Sequence, residues 1–172
     1  MIIDKDLIFS GYYKLEKLII KSKKGKEFER EFFKNKNGVG AILYDVNLEK
    51  YVFVKQFRLA PNSEILEVVA GSIEVGKTPL DAIKDEVLEE TGYLCDSITK
   101  ISDFFVSPGA VSEKVDLFYI EVSNKVGDGG GLEQEDEEID IVYMDKNQLF
   151  SYEFKDAKTI IGVNYVKNNL YI

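Results

Sequence analysis

Two kinds of hydrophobic pattern run along the chain, one typical of strands and one typical of helices. Alternation with a period of two indicates strands with one buried face, whereas apolar residues at i, i+3 and i+7 indicate an amphipathic helix. Strands are predicted within residues 1–37 (two antiparallel strands about a turn at Lys24 and Gly25), 38–60 (a hairpin), 63–71, 98–106, 114–122 and 139–144.

The clearer helical pattern covers residues 79–91. It follows Thr78, a residue that caps helices well, and it has a proline at its first position and a glycine after its last turn. Leu80, Ile83 and Val87 recur at helical spacing, so they are predicted to face the core.

The C-terminal part of the chain has a second helical pattern, and polar segments separate the later strands. A closing helix is predicted after residue 147 from the spacing of the apolar residues Ile160, Ile161, Val163 and Val166. The segments SPGAVSE and VGDGGGLEQEDEE are predicted to be loops because they combine glycine with polar or acidic residues.

Composition limits the classes of protein to which the chain can belong. Its 172 residues are 45% hydrophobic, which predicts one compact domain over residues 1–172 with a sizeable core. The formal net charge of -9 argues against a nucleic-acid partner and against an anionic membrane surface, because both attract proteins rich in Lys and Arg.

The first residues of the chain and its single cysteine bear on localisation. Charges at Asp4, Lys5 and Asp6 interrupt the apolar core that a signal peptide or a membrane span needs, so neither is predicted. Cys95 has no second cysteine with which to form a disulfide in the chain, which fits a reducing compartment. A cytoplasmic location is therefore expected.

The chain contains no histidine, so its chemistry is expected to depend on carboxylates. This absence excludes Ser-His and Cys-His nucleophiles and histidine-ligated zinc sites. Glu86 and Glu90 lie one helical turn apart with Glu89 beside them, at the predicted rim of the packed face, and like charges at this spacing repel each other. Oxygen ligands favour Mg2+ or Mn2+ as the compensating cation. The alternative is a solvated acidic helix face.

The stretch GSIEVGKTPLDAIKDEVLEETGY resembles the Nudix box, G-x5-E-x7-R-E-U-x-E-E-x-G-U, in which U is aliphatic or aromatic. The matching residues are Gly71, Glu86, Val87, Glu89, Glu90, Gly92 and Tyr93. Lys77 stands where the family has glutamate, and Asp85 stands where it has arginine. Those two family residues commonly pair, so we hypothesise that Lys77 and Asp85 form the same ion pair with exchanged charges.

Further segments resemble one branch of this family. EILEVVAG, SPGAVSE and EQEDEE resemble the ADP-ribose and nucleotide-sugar pyrophosphatases, and GGGLEQEDEEID is especially similar to the GDP-mannose-cleaving members. The resemblance implies an α/β (α+β) fold, an α/β/α sandwich built on a mixed β-sheet. It also implies a homodimer with an exchanged N-terminal strand region, here residues 1–37, beside a catalytic core of residues 38–172.

The resemblance also implies roles for individual residues, beginning with a Mg2+ or Mn2+ site. The Ala70 carbonyl, Glu86 and Glu90 would be principal ligands, and Glu89 would be a further ligand with a catalytic role. The implied reaction is hydrolysis of a diphosphate that links a nucleoside to another group, as in ADP-ribose or a related nucleotide sugar, to two monophosphates. The ions would neutralise the diphosphate and activate water.

The acidic loop is implied to supply the general base or a supplementary metal ligand. Glu135 and Glu137 are the candidates, and Glu133 and Glu138 compete with them because the register is ambiguous by two residues. The glycines before these carboxylates would allow the loop to close over a bound diphosphate and to orient water. The alternative is a solvated run of charges.

Three residues are implied to bind substrate: Arg58, Glu67 and Glu113. Glu67 would contact the substrate or support the metal, and Glu113 would lie near the metal site. Arg58 would hold a phosphate by a bidentate contact, with a surface ion pair as the alternative role. A second hypothesis for the whole chain is a non-catalytic domain that binds and senses a nucleotide, and the departures from the box at Lys77 and Asp85 motivate it.

Overall fold

The computed structural model describes residues 1–132 and 138–171, which divide into two compact units. Unit 1 consists of Met1–Asn37 and Phe104–Val115, and unit 2 consists of Gly38–Asp103 and Asp116–Ile172. Unit 1 therefore includes a segment beyond residue 38, in addition to the N-terminal region. No helix in the described part of the chain is long and apolar enough to cross a membrane.

Unit 1 contains a three-stranded antiparallel sheet. Its strands are β1 (Ile2–Ser10), β2 (Lys14–Lys21) and β3 (Glu27–Lys34), in the order β1-β2-β3. The predicted turn is confirmed and joins β2 to β3, with a φ of 80° at Gly25. This positive φ favours glycine because other residues meet a steric penalty there.

The prediction of only two strands in residues 1–37 is wrong, because β1 is an additional strand. Asp4, Lys5 and Asp6 interrupt any period-two pattern in β1, and all nine of its residues are exposed. Its pairing with β2 also shifts register twice. Backbone pairing rather than burial holds β1, so a pattern of buried positions could not reveal it.

A second sheet has seven strands among the described residues and belongs to unit 2, except for the last two residues of β8 and the first two of β9. Its strands are β4 (Gly38–Asp45), β5 (Lys50–Arg58), β6 (Ser63–Glu67), β7 (Val69–Ser72), β8 (Tyr93–Phe105), β9 (Lys114–Lys125) and β10 (Asp140–Met144). The order is β10-β5-β4-β9-β8, with β6 beside β5 and β7 beside β4. The hairpin predicted within residues 38–60 is confirmed as β4 and β5.

The single strand predicted over residues 63–71 is wrong, because the chain changes partners at Val68. β6 pairs with β5, whereas β7 pairs with β4. The buried Val68 N–H donates to Thr159 Oγ1 at 2.9 Å, so a side chain replaces the missing strand partner. The break leaves Glu67 at the end of β6 and both Ala70 and Gly71 in β7.

Three helices occur in the described residues: α1 (Pro79–Thr91), α2 (Lys146–Ser151) and α3 (Ala157–Asn169). α1 has the predicted bounds and begins with a capping box between Thr78 and Asp81. The closing helix predicted from Asn147 onward is divided into two helices, α2 and α3. The predicted burial of Leu80 is wrong, because it lies in the first turn and the buried residues of α1 begin only at Ala82.

β4 is buried on both faces because helices pack on both faces of the unit 2 sheet. Ala41 and Leu43 point to one face and share a hydrophobic cluster with Ile83 of α1. Ile42 points to the opposite face, against Gly162 of α3, where an added Cβ would lie 3.5 Å from the Ile42 Cβ. The layering is α/β/α, as the resemblance implied.

Candidate functional site

The carboxylates of α1 lie at different depths. Glu86 and Glu89 are half-buried, whereas Glu90 is only 1% exposed. Glu90 follows Ile83 and Val87 on the buried face of the helix, so its predicted position at the rim is wrong. An ionised carboxylate at this depth needs partners, because burying an unpaired charge is costly.

Strand β7 lies against these carboxylates. The Ala70 N–H donates to Glu90 Oε2 at 3.4 Å. The Glu86 carboxylate lies over Gly71, because a Cβ built on Gly71 would overlap it. A side chain at Gly71 would displace the Glu86 carboxylate, so glycine allows Glu86 to keep this position. The carboxylates of Glu90 and Glu86 therefore lie against the backbone of the consecutive residues Ala70 and Gly71.

The glycine-rich segment after β9 is attached to the end of α1. The N–H groups of Gly130 and Gly131 donate to the carbonyl oxygens of Glu90 and Glu89, at 2.9 and 3.2 Å respectively. Gly129 has a φ of 74°, and a Cβ on it would lie 2.6 Å from the Glu90 carbonyl oxygen. The start of the predicted acidic loop is therefore anchored to the backbone of both glutamates.

Three other predicted site residues belong to other segments. Glu135 and Glu137 fall within residues 133–137, which lie outside the described residues. Glu113 lies in unit 1, where its Oε2 accepts a hydrogen bond from Asn35 Nδ2 at 2.7 Å. The roles of these three glutamates stay predictions.

A second set of charges surrounds Glu67. Arg58 Nε and Nη2 donate to Glu67 Oε1 and Oε2 at 2.7 and 2.9 Å, which makes a bidentate ion pair. Lys158 Nζ lies 3.3 Å from Glu67 Oε2 and 2.7 Å from Asp156 Oδ1. Glu67 is buried, so the two cations compensate its charge. The two predicted substrate-binding residues of unit 2 therefore contact each other.

Mutual interactions shift the pKa of two members of this network. Hydrogen bonds to Glu67 raise the pKa of the Arg58 guanidinium, although burial opposes this, and the charge of Glu90 adds to the rise. Burial by itself would raise the pKa of Asp156, but the charge of Lys158 and the hydrogen bonds to the carboxylate lower it below its usual value. The network is therefore coupled to the buried carboxylate of Glu90.

Lys158 and Asp156 were not found from the sequence. Asp156 caps α3 and accepts a hydrogen bond from the Thr159 N–H at 2.9 Å. An acidic residue before an apolar helical run is a recognisable helix start, so this signal was present. Lys158 has no such signal, because its partner Glu67 lies 91 residues earlier in the chain.

The ion pair hypothesised between Lys77 and Asp85 is confirmed. Lys77 Nζ lies 3.0 Å from Glu74 Oε2 and 3.0 Å from Asp85 Oδ2. Hydrogen bonds to Glu74 and to Asp85 raise the pKa of Lys77, although burial opposes this. The charges of the two departures from the box therefore compensate each other. Asp85, one of the two, lies directly before Glu86.

The oxygen donors near α1 fit a hard divalent cation whose remaining ligands are supplied by the substrate and by water. Within residues 1–132 and 138–171, no group of three or more His, Cys, Asp or Glu side chains is arranged to hold a metal ion. Mg2+ commonly binds one or two carboxylates together with water and substrate phosphates, so Glu86 and Glu90 meet that requirement. The N–H and C=O of a strand residue point to the same edge, so the Ala70 carbonyl faces the side of Glu90.

Comparison with known proteins assigns the family. A model of the NUDIX domain matches residues 34–161, which include every residue of unit 2 discussed above as part of the site. The chain belongs to the Nudix family. Nudix hydrolases depend in general on divalent metal ions, which agrees with the oxygen donors of Ala70, Glu86 and Glu90.

Relatives of this Nudix chain are similar over most of its length. A GDP-mannose pyrophosphatase of Citrobacter koseri is 30% identical over 156 residues, which are 84% of this chain and 80% of the relative. A GDP-mannose pyrophosphatase of Escherichia coli O139:H28 is 29% identical over 153 residues, 82% and 78% of the two chains. A crystal structure of an ADP compounds hydrolase has a TM-score of 0.82 at 15% identity, and the match covers 99% of this chain and 93% of that chain. The mixed β-sheet with flanking helices is the Nudix fold, and the chain is a Nudix hydrolase.

Proposed function

We propose that this Nudix hydrolase cleaves the diphosphate of a nucleotide sugar to two monophosphates. The observation that carries the proposal is the meeting of Glu86 and Glu90 at the backbone of Ala70 and Gly71. The similarity to GDP-mannose pyrophosphatases supports a nucleotide sugar as substrate. GDP-mannose and ADP-ribose are therefore the first two compounds to test.

The Ala70 carbonyl, Glu86 and Glu90 are proposed to hold Mg2+ or Mn2+, with Glu89 as a further ligand and catalytic group. When bound, the metal would neutralise the diphosphate and activate water for attack. Burial limits the orientations of the Glu90 side chain, and the Ala70 N–H binds its Oε2. Glu86 and Glu89 are half-buried, so their carboxylates remain within reach of a substrate from solution.

Arg58 is proposed to contact a phosphate oxygen of the substrate. Its Nε and Nη2 donate to Glu67, so the Nη1 edge of the guanidinium is the one that a ligand would use. Glu67 would then bind substrate indirectly, because it fixes the orientation of Arg58. The Nη1 N–H groups and the second Nη2 N–H remain available, so this edge can still make the bidentate phosphate contact expected from the sequence.

Two further proposals rest on the resemblance to the family. Glu135 or Glu137 is proposed as the general base, and Glu113 is proposed as a substrate contact. Glutamine substitution separates these roles, because loss of the base lowers kcat whereas loss of a binding contact raises KM. A cytoplasmic location is also proposed, and fractionation of the source cells tests it.

The main test is hydrolysis by the metal-depleted protein with added Mg2+ or Mn2+. The panel contains GDP-mannose, ADP-ribose, ADP-glucose, FAD and a dinucleoside polyphosphate, and released monophosphate is measured with a coupled phosphatase. Glu90→Gln is expected to lower kcat by roughly a hundredfold or more, because it removes a negative metal ligand. Glu64→Gln is the matched control, since Glu64 is an exposed glutamate of β6.

The outcomes of this panel separate an enzyme from a nucleotide sensor. Activity confined to one or two nucleotide sugars, lost in Glu90→Gln and kept in Glu64→Gln, supports the proposal. Binding without turnover for every compound and both metals contradicts it and favours the sensor. Circular dichroism of each variant shows whether a lost activity comes from unfolding.

A homodimer formed through β1 is proposed as well. Ile2, Leu7 and Phe9 of β1 are 58%, 56% and 60% exposed. β1 lies at one edge of its sheet and has β2 as its strand partner. An exposed edge strand with large apolar side chains favours association with a second copy of the chain.

Sedimentation equilibrium tests the dimer. The wild-type chain is expected to sediment as a dimer, and Leu7→Lys combined with Phe9→Lys is expected to give a monomer, because two buried charges would oppose association. Leu48→Lys is the control, since Leu48 is 53% exposed in the turn between β4 and β5. A wild-type chain that remains monomeric contradicts the proposal.

A further inference from the structure

Strands β4 and β5 pair directly at one end and have different partners at the other. They pair with each other over residues 43–45 of β4 and 50–52 of β5. Farther along, residues 38–41 of β4 pair with β7, and residues 54–58 of β5 pair with β6. The chain crosses from one strand to the other at Val68, so this residue is the junction between the two strand pairs.

The two strand pairs carry different parts of the candidate site. The phosphate arm is the pair of β5 and β6, which carries Arg58 and Glu67. The metal arm is β7 together with the α1 carboxylates that lie against it, Glu86 and Glu90. Each arm has its own ladder of strand pairs, so the position of one arm relative to the other depends on the junction between β6 and β7.

Thr159 of α3 holds this junction through a hydrogen bond. The Val68 N–H donates to Thr159 Oγ1 at 2.9 Å. Both residues are fully buried, so water cannot replace the bond. Loss of the hydroxyl would leave a buried N–H without its acceptor, and the backbone at the junction would have to shift to find another one.

Asp156 sets the direction of this hydrogen bond. The Thr159 hydroxyl donates to Asp156 Oδ2 at 2.7 Å, so its lone pairs are left to accept from the Val68 N–H. The same carboxylate oxygen accepts from the Thr159 N–H at 2.9 Å. The first turn of α3 therefore presents Thr159 Oγ1 to the junction as an acceptor in a fixed place.

We propose that Thr159 is a positioning residue for the hydrolysis, because by holding Val68 it fixes the metal arm relative to the phosphate arm. The inference rests on the function proposed above. A diphosphate that both arms hold at once spans the junction, so a shift of one arm against the other would separate its two contacts. Thr159 is fully buried, so it acts through the backbone and does not touch the substrate.

The test compares wild type with Thr159→Val, which keeps the shape and removes the hydroxyl, and with Thr159→Ser, which keeps the hydroxyl. Mn2+ binding to the metal-depleted full chain without substrate is measured by electron paramagnetic resonance, and kcat/KM is measured for a nucleotide sugar that wild type cleaves. Thr159→Val is expected to bind Mn2+ within about twofold of wild type, because the metal arm stays intact, and to lose about tenfold or more in kcat/KM. Thr159→Ser is expected to stay within about threefold of wild type in both quantities.

Arg58→Met separates positioning from a loss of stability. In the wild-type background it is expected to lower kcat/KM by about tenfold, because a phosphate contact is lost. In the Thr159→Val background its effect is expected to be about threefold or less, because the phosphate arm is already displaced. A variant that is only less stable would lose the same factor in both backgrounds, because a smaller folded fraction multiplies every rate equally.

Thr99→Val is the matched control for the loss of a threonine hydroxyl. Thr99 is exposed in β8, the last strand in the order of its sheet. Both measured quantities are expected to stay within about twofold of wild type in this variant. Urea denaturation shows whether each protein is folded under the assay conditions. Thr159→Cys, whose thiol is a weak acceptor, takes the place of Thr159→Val if that variant does not fold.

Several outcomes overturn the positioning role. They are a Thr159→Val variant as active as wild type, a loss of Mn2+ affinity as large as the loss of kcat/KM, and an equal effect of Arg58→Met in both backgrounds. If any of them occurs while wild type cleaves a nucleotide sugar, the positioning role fails and the proposed function stands. A wild-type chain that cleaves none of the compounds in the panel overturns both.

Discussion

Two charge networks of unit 2 have similar distances and very different burial. In the network around Glu67, nitrogen and oxygen atoms are 2.7 to 3.3 Å apart, and the Glu67 side chain is 3% exposed. In the network around Lys77 both separations are 3.0 Å, and that side chain is 39% exposed. Burial rather than distance therefore decides what each network contributes, because water screens the exposed charges and cannot replace a lost partner of the buried ones.

This difference also indicates which departures from the family pattern a chain can tolerate. At Lys77 and Asp85 the charges are reversed relative to the box, and the pair still forms because both side chains reach solvent and can adapt. The buried Glu67 has no such freedom, since its charge is matched to Arg58 and Lys158. Exchange of charge is therefore expected at the exposed network and not at the buried one.

The largest predicted effect on stability is that of Glu67→Gln. This change leaves Arg58 without its bidentate partner and removes one of the two carboxylates beside Lys158. We expect the free energy of unfolding to fall by about 3 kcal/mol, the usual cost of removing one partner of a buried ion pair. Urea denaturation followed by circular dichroism measures it.

Glu64→Gln is the control for this change, because Glu64 lies in the same strand and pairs with an exposed lysine. Its free energy of unfolding is expected to stay close to that of wild type. Equal losses in the two glutamine variants would contradict the idea that burial separates the networks.

The second prediction concerns pH and Asp156, whose pKa is lowered. Its ionised form stabilises the folded chain fully above the pKa of the unfolded chain, near 3.8, and this stabilisation is lost as pH falls through the lower folded value. Asp156→Asn keeps an N-cap residue but removes the charge, so about 1–2 kcal/mol is expected to be lost near neutral pH. The difference between wild type and variant should shrink as the pH is lowered below 3.8.

Urea denaturation of both proteins at several pH values between neutrality and acid checks this prediction. The variant and wild type share all other titrating groups, so only their difference reports on Asp156. A difference that stays constant with pH would show that the lost stability comes from packing or capping and not from the charge.

The sequence predicted those parts of the site that depend on local spacing. The bounds of α1 and its cap at Thr78 follow from the local sequence pattern, and the Lys77–Asp85 pair, hypothesised from the resemblance to the family, joins residues that are close in the chain. Lys158 could not be predicted, because 91 residues separate it from Glu67. The burial of Glu90 could not be predicted either, since the helical pattern gives the direction of a side chain but not how deeply the neighbouring strand covers it.

The smallest predicted effect is that of salt on the exposed network. At about 1 M salt the Debye length is about 3 Å, so charges at the surface interact weakly. Lys77→Met is expected to unfold at a urea concentration close to that of wild type at low salt, and at an indistinguishable one in 1 M NaCl. Glu67→Gln should keep most of its loss in 1 M NaCl, because salt does not reach a side chain that is 3% exposed. If salt removed both differences equally, the two networks would have to be equally solvated, and the contrast between them would fail.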